Sequence, residues 1–555
     1  MCLRVFLPAI ASGLLLWTAF FPLDLGPLSF VALVPWLTLV RSPVGNRKRY
    51  LAAYLGGLTF FLIAVQWMRV AHPMMYYAWL FLAFVYPLTW VLGLWIIRRI
   101  DTLGRVPLAV SVPLVWVALE FTRAHFPTGF PFMASLGMYQ MIGFGWYFLG
   151  YSLHGILPLI QIADIGGVYA VSFIVAAVNG LVAEWIMRLE PVRGWLRWPN
   201  DAYRATMRRM VPASIGTAAI VIGTVVYGVM KLNHEPYADG PRVALLQGSV
   251  DQDVKNEKGS QLGDTYYGLY KQSISGDSKP DLVVWPETCC PYIWFQPMGD
   301  DDVLKWDWSK PSPEMREAAR RHYPNMMAEH LPVATLYGLT GIVWESERSV
   351  KYNSAVLLSP KREFLGRYDK IHLVPLGEYV PLRETLPFIA RFTPYDDDYS
   401  CKPGEKWTKF KLACVDGRAF TFGCLICYED SDPFLARQYA TPDQPVDFLV
   451  NISNDGWFRG TEEHEEHLAI CQFRAVETRR SVVRAVNMGI SGVIDPDGRV
   501  TTSLPKKVEG VIHATLPIDN LQSWYARTGD WLPGLSWMII ALGLVLARWK
   551  GKATA

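Results

Sequence analysis

Three residues in the second half of the chain, a cysteine, a glutamate and a lysine, are of types that together could do nucleophilic chemistry. Cys427 ends the apolar run of GCLICYEDSDPF (423–434) and is followed at once by Tyr428, Glu429 and Asp430. Glu287 closes the run in VVWPETCCPY, and Lys370 stands in GRYDKIHLVPLGEYVP. A thiol with its ordinary pKa near ~8.5 is mostly protonated at neutral pH and needs a base or a cation beside it to act as a nucleophile. A carboxylate such as Glu287 can take the proton. An ammonium such as Lys370 can favour the thiolate and hold the oxyanion of a tetrahedral intermediate. Taken singly, each residue has an ordinary reading: a core cysteine, a strand-end carboxylate, a solvated lysine partnered by Asp369. Spacing along the chain does not bring the three together, so the elements around them must.

Those elements fall into two kinds. The 555 residues exceed one ordinary domain. Up to about Leu232, and again after Trp531, the chain is apolar in long blocks; between them it is mixed. Segments that approach the ~20 residues needed to cross a bilayer lie near Val5–Phe21, Leu28–Val40, Leu51–Val70, Tyr77–Ile97, Val106–Phe121, Leu157–Met187, Val211–Met230 and Trp531–Ala547. Basic residues cluster in alternate loops: Arg41 with Arg47, Lys48 and Arg49; Arg98, Arg99 and Arg105; six arginines between Arg188 and Arg209; Arg548, Lys550 and Lys552 at the end. The positive-inside rule then places both termini in the cytoplasm and the mixed region on the opposite side. The expected organisation is a membrane domain over 1–232 with about seven helices, an extracytoplasmic domain over 233–530, and a last membrane helix with its tail over 531–555. The loop Thr122–His154 is expected at the membrane surface below the extracytoplasmic domain.

Within 233–530 the pattern shifts to short β-branched runs. Candidate strands are RVALLQG (242–248), DLVVWPE (281–287), ATLYGLTGIVW (334–344), NSAVLLS (353–359), AFTFGCLICYE (419–429), DFLVNIS (447–453) and SVVRAVNMG (481–489). EEHLAICQFRAVETRR (465–480) has helical spacing, and Gln296–Pro332 reads as an insertion. This alternation predicts an α/β class. Several strands end in polar groups, Glu287, Cys427 with Glu429, and Asn451 to Asp455, and the carboxyl ends of strands are where open α/β sheets bind ligands. A net charge of +3 is too small to point to nucleic acid. Of eight cysteines, seven lie in the mixed region, an odd number, and Cys424 with Cys427 form one isolated C-x-x-C. In the run His464, Glu465, Glu466, His467 the second His comes one residue too early for H-E-x-x-H. It reads as a solvated helix start, and no metal or cofactor is expected.

WPE, YDKIHLVPLGEYVP and CYED, in this order, resemble the nitrilase (carbon–nitrogen hydrolase) superfamily with its Glu–Lys–Cys triad. The longer stretches KIHLVPLGEYVPLR, NDGWF and HLAICQFRAVETRRSVVRAVNMGISGVIDPDGR resemble the apolipoprotein N-acyltransferase family within it. The resemblance implies an α-helical polytopic membrane domain joined to a nitrilase-like αββα sandwich. It implies Glu287 as general base, Lys370 as oxyanion stabiliser and Cys427 as nucleophile. Glu378 of PLGEYVP matches a second acid, Tyr428 and Glu429 match the residues flanking the nucleophile, and Asn454, Asp455 and Trp457 of NDGWF match the pocket wall. The implied reaction passes an acyl chain from a membrane phospholipid, through a Cys427 thioester, to the amine of a diacylglyceryl-cysteine apolipoprotein. The implied location is a bacterial inner membrane, with the catalytic domain in the periplasm. Ser249 and Asn256 depart from the family at the lid, and Glu466-His467 stands where Gln-His is usual. A membrane-tethered amidase would use the same triad. A transporter fits poorly, because the apolar segments hold few ionisable residues, Glu120 and Asp164 among them.

Overall fold

The apolar blocks fold as helices. The computed structural model describes residues 3–103, 106–130, 143–196, 207–256, 261–276, 279–297, 317, 322, 324–345, 348–380, 388, 391 and 400–553. Most of the expected insertion and the middle of the loop Thr122–His154 lie outside the described residues. The N-terminal helices are α1 (Leu3–Thr18), α2 (Asn46–Ala64), α3 (Met75–Val85), α4 (Pro87–Asp101), α5 (Leu108–His125), α6 (Val168–Ile186) and α7 (Met207–Leu232). The second apolar segment is a chain of single turns from Gly26 to Val40, with Pro27 and Pro35 starting two of them. Proline fits a first helical turn but cannot continue one. The long sixth segment is divided at Gly167, whose φ of +67° breaks the helix.

Among the described residues, four helices are long and apolar enough to cross a membrane: Met75–Asp101, Val168–Ile186, Met210–Leu232 and Trp531–Trp549. Their outward faces are apolar. Phe81, Ile215, Ile222, Met230, Met538 and Leu542 are all exposed, an arrangement that suits a lipid solvent rather than water. The bundle interior is aromatic, with Trp36 stacked edge-on against Trp90 and Trp116.

The mixed region forms two sheets face to face. The first contains β1 (Ala238–Gln247), β2 (Leu282–Val284), β3 (Ile293–Pro297), β4 (Ala334–Glu345), β5 (Arg348–Leu358) and β6 (Phe364–Asp369). The second contains β7 (Lys409–Ala413), β8 (Ala419–Ile426), β9 (Phe448–Asn454), β10 (Ser481–Asn487), β11 (Ser491–Ile494) and β12 (Val500–Leu504); β13 (Gly510–Ile518) returns to the first. Strand order is β13-β1-β2-β4-β5-β6 with β3 on β4, and β12-β11-β10-β9-β8-β7. The central strands β1, β2 and β4 run parallel, as do β8, β9 and β10.

Side-chain alternation explains the sandwich. Val243, Leu245, Leu282, Val284, Leu336 and Leu357 point between the sheets, against Leu425, Val450 and Val483. Ala244, Leu246, Val283, Trp285, Tyr337 and Val356 point outward, onto helix α8 (Gln261–Ser273) through Tyr266, Leu269 and Tyr270. Strands covered on both faces read as unbroken apolar runs, which is why these were visible in the sequence. Strands β3, β6, β7, β11, β12 and β13 were not: they are short, lie towards the edges or carry exposed polar residues.

Helix α9 (Glu463–Thr478) covers the other sheet and joins the two halves. Its Cys471 and Ala475 belong to the sandwich core, whereas Ile470, Phe473 and Val476 belong to the core of the membrane bundle. The last helix, α10 (Trp531–Ala553), packs back on α4 and α5. Polar contacts reinforce the junction. Glu466 accepts from the Phe21 N–H at 2.9 Å, and Glu477 accepts from the Val168 N–H at 2.7 Å. The expected solvated helix start is therefore corrected: His464, Glu466 and His467 are buried, because the bundle covers the face that a soluble sandwich would leave open.

Arg479 closes this junction. Its guanidinium reaches Asp519 at 3.0 Å, Asp497 at 3.0 Å and Gln161 of the bundle at 3.2 Å. Replacing Arg479 by Ala strands two buried carboxylates, a change that costs about 3–5 kcal/mol. The Arg479→Ala protein is expected to unfold at a clearly lower temperature in detergent. An unchanged midpoint would show that Arg479 does not hold the halves together.

Candidate active site

The strand ends converge. Glu287 lies just beyond β2, Lys370 follows β6 directly, Cys427 follows β8, and Asn454 ends β9. β6 is antiparallel to β5, which is antiparallel to β4, so β2 and β6 deliver their carboxyl ends to one side.

The carboxylates surround the ammonium. Lys370 Nζ is 3.2 Å from Glu287 Oε1 and 2.9 Å from Glu378 Oε2, and its side chain is 1% exposed. Asn353 of β5 donates to both acids, at 2.6 Å to Glu287 and 2.8 Å to Glu378. The Val374 N–H binds Glu378, and the Asn454 N–H binds the other Glu287 oxygen at 2.9 Å. Burial works against the Lys370 ammonium, but Glu287 and Glu378 outweigh it and hold its pKa well above the ordinary lysine value. The lysine is therefore a fixed cation.

Gly338 of β4 makes room for this corner. A Cβ there would lie 2.1 Å from the Pro286 carbonyl oxygen, so only glycine lets β4 pass the Trp285–Glu287 turn. From the short helix at Gln252–Asn256, Lys255 donates to the Glu287 carbonyl at 3.0 Å and to the Thr288 hydroxyl at 2.8 Å.

Cys427 sits at a strained turn. Its φ is +53°, in the left-handed region that non-glycine residues rarely occupy, and a 3-10 turn begins there. Thr288 beside Glu287 and Leu376 near Glu378 share that conformation. Strain of this kind costs about 1–3 kcal/mol per residue and concentrates at functional sites. Burial pushes the Cys427 thiol up to about 12; Glu287 adds to the rise and Lys370 opposes it. Cys427 therefore rests as a thiol and must lose its proton before it can act as a nucleophile.

Glu429 is a fastener rather than a reactant. It accepts from the N–H groups of Ile371 at 2.6 Å, His372 at 3.0 Å and Ile426 at 2.7 Å, and from the Tyr368 hydroxyl at 2.8 Å. It thereby ties the chain beyond Lys370 to the strand that ends in Cys427. Burial pushes its carboxyl up to about 7. Tyr428 turns the other way: its hydroxyl donates to the Gly143 carbonyl at 2.7 Å, and its ring packs on the membrane bundle.

Of the NDGWF residues, Asn454 carries the N–H to Glu287, while Asp455 is buried and bonded to Ser453 and Arg484. Trp457 lines a cavity of about 490 Å³ together with Arg69, His72, Tyr76, Gln252 and Arg459. This cavity opens between the start of α3 and the sandwich. Gln252 links it to the site by accepting from Asn454 Nδ2 at 2.7 Å. Ser249, one of the lid departures, has a positive φ and donates to the Val508 carbonyl; Asn256 is the last described residue before 261. Seven cysteines, all but Cys2, are free thiols.

Asn353, Lys255 and Gln252 were missed from sequence. Asn353 had one available signal: a polar residue in an otherwise apolar strand run, NSAVLLS.

The two halves of the chain each match a known protein family. The N-terminal domain of apolipoprotein N-acyltransferases matches residues 12–181, and the carbon–nitrogen hydrolase domain matches residues 242–526. An apolipoprotein N-acyltransferase of Geobacter metallireducens is 32% identical over 98% of this chain and 95% of its own length. Those of Rhodopirellula baltica and Pseudomonas putida are 29% and 28% identical, over 96% and 98% of this chain and 95% of each relative. The chain belongs to the apolipoprotein N-acyltransferase family, membrane acyltransferases of the carbon–nitrogen hydrolase superfamily that N-acylate lipoproteins.

Proposed function

We propose that Cys427 takes an acyl chain from a membrane phospholipid as a thioester and passes it to the N-terminal amine of a diacylglyceryl-cysteine lipoprotein. The observation that carries this reading is the Lys370 ammonium fixed between Glu287 and Glu378, beside a strained thiol that feels both Glu287 and Lys370. Sulfur attacks the ester carbonyl while Glu287 takes the thiol proton. Negative charge grows on the carbonyl oxygen, where Lys370 stabilises it. Collapse expels the lysophospholipid alkoxide, which takes the proton from Glu287. The acceptor amine then attacks the thioester, Glu287 receives its proton, and the thiolate leaves and is reprotonated. Glu378 and Asn353 hold Lys370 and Glu287 in place and touch no reacting atom.

Architecture supports a lipid donor. The cavity lined by Trp457 and Tyr76 lies where α3 begins, and α3 shows Tyr77 and Phe81 to the outside. Keeping water from the thioester turns hydrolase chemistry into transfer. The domain limits 1–232, 233–530 and 531–555 follow from the same division into bundle, sandwich and closing helix.

Orientation is supported by where the basic loops meet. Arg41 pairs with Asp101 at 2.8 Å and Glu184 at 3.0 Å, and Arg4 donates to Trp195, so these loops share one end of the bundle. The sandwich docks at the other end, through Phe21 and His154. By the positive-inside rule, both termini face the cytoplasm and the sandwich faces the periplasm of an inner membrane.

Intact mass of the purified protein after incubation with phospholipid is expected to show one acyl adduct mapping to Cys427. The adduct is absent in Cys427→Ala, and an adduct that persists there would overturn the nucleophile.

Glu287→Gln is expected to separate two readouts. Acyl-enzyme formation falls by roughly 10²–10⁴-fold with the base gone. The Cys427 thiol pKa moves down from about 12, because a repelling charge is lost while Lys370 stays. Cys427 alkylation at fixed pH therefore speeds up. Normal acylation in this variant would remove Glu287 from the base role.

Glu429→Gln leaves the Ile426 N–H facing an amide donor, a loss of about 1–3 kcal/mol. The wild-type carboxyl, raised to about 7 from an unfolded value near ~4.3, favours folding most below that unfolded value. That contribution is lost as pH rises towards 7. The stability gap between wild type and variant is thus expected to narrow over this range and then level off in denaturation measured against pH. A gap constant across it would assign the carboxyl an ordinary pKa.

A further inference from the structure

Where α9 begins, two turns of chain close on one point. His467 Nδ1 lies 3.4 Å from Asp455 Oδ1 and 3.4 Å from Glu463 Oε1. Donor atoms of all three residues fall within 4.8 Å of one another. Glu463 and His467 are four residues apart on α9 and so share a helix face; Asp455 comes from the turn after β9. The three are at most 1% exposed.

Three atoms in this sealed space make no hydrogen bond: His467 Nδ1, Glu463 Oε2 and His464 Nδ1. Buried polar atoms without a partner are uncommon and each asks for an explanation. The surroundings narrow it. Asp430 Oδ1 holds His467 Nε2 at 2.9 Å, which fixes the ring and turns Nδ1 towards Asp455 and Glu463. Nδ1 then stands between the two carboxylates without a hydrogen bond to either. A carboxylate behind an imidazole whose other nitrogen faces further ligands is the usual arrangement around a bound metal. Arg484 Nη2 occupies the second Asp455 oxygen at 2.9 Å. His464 is not among the inner donors: its Nε2 accepts from the Gly460 N–H at 2.9 Å, and its Nδ1 stands 3.7 Å from both Asp455 and Glu463.

The distances agree. Ligand atoms ~2.0–2.1 Å from a tetrahedral zinc ion stand ~3.3–3.4 Å apart, as the Nδ1–oxygen pairs do here. Three carboxylates, Asp430, Asp455 and Glu463, face the single guanidinium of Arg484.

We propose that Asp455, Glu463 and His467 form a binding site for a divalent transition-metal ion of the zinc class, bound through one imidazole nitrogen and two carboxylates. The sequence reading set this region aside because the histidines miss the H-E-x-x-H spacing. The ligand set joins Glu463 and His467 across one turn with an acid from another element, which that motif does not describe. The ion takes no part in the chemistry. It locks the turn after β9 to α9, and Asn454, adjacent to Asp455, gives its N–H to Glu287. The site stands independently of the acyl-transfer steps.

The test uses full-length protein in detergent, purified through a tag that binds no metal. It is dialysed against Zn²⁺, or Mn²⁺ in parallel, and freed of excess ion. Elemental analysis is expected to find a single ion per chain in the wild type and background levels in Glu463→Gln. Asp430→Asn, which disturbs only the outer carboxylate, weakens binding about 10–100-fold. Replacement by Co²⁺ gives visible absorption in the wild type that Glu463→Gln lacks, and Zn²⁺ raises the unfolding temperature of the wild type alone. If Glu463→Gln does not fold, Asp430→Asn carries the comparison. Background metal in the dialysed wild type, or equal Zn²⁺ and Co²⁺ binding in the wild type and the folded variants, overturns the proposal.

Discussion

A buried ammonium sets the terms for this molecule. Lys370 is almost wholly removed from water, and an isolated charge there would be prohibitively costly. It is tolerated because two carboxylates and a bridging amide enclose it. The enclosure needs Glu287 from one strand, Asn353 from a second and Glu378 from a loop. The sandwich must therefore be complete before the site exists. Gly338, with no room for a Cβ, and Glu429, with four donors, serve the same requirement from behind.

The second constraint is that one helix belongs to two cores. In a sandwich standing alone, the outer face of α9 would be polar. Here Ile470, Phe473 and Val476 enter the bundle core, and the charged residues on that side find partners in the bundle. The active site thereby acquires a fixed position relative to the lipid-facing helices. Tyr428, next to the nucleophile, is itself anchored on the bundle loop at Gly143. The turn that carries Cys427 and the membrane domain are thereby joined by a hydrogen bond one residue from the Cys427 sulfur.

The resting state follows from the same burial. A thiol pushed up to about 12 is inert towards stray electrophiles at neutral pH. In the proposed reaction its proton leaves as a substrate carbonyl receives the sulfur and Lys370 stabilises the resulting oxyanion. The left-handed backbone at Cys427 holds the sulfur at the mouth of the turn rather than in the strand.

The sequence by itself determined the class of each half. Long apolar blocks marked the bundle, and doubly covered strands such as DLVVWPE and DFLVNIS marked the sheets, because burial on both faces leaves an unbroken apolar run. It also named Glu287, Lys370, Cys427 and Glu378 through the local motifs around them. Only the tertiary structure decided what those residues share. Asn353 looked like any polar residue in a strand, and its role appears only when two acids from elsewhere meet its amide. The run His464–His467 looked solvated, because charged residues at a helix start usually are; the bundle that buries it lies some 300 residues away in sequence. Edge strands such as β6 and β12 carried too few apolar residues to be seen, since only one of their faces is covered. Local pattern records what a residue's own element needs, whereas partners across the chain leave no periodic trace.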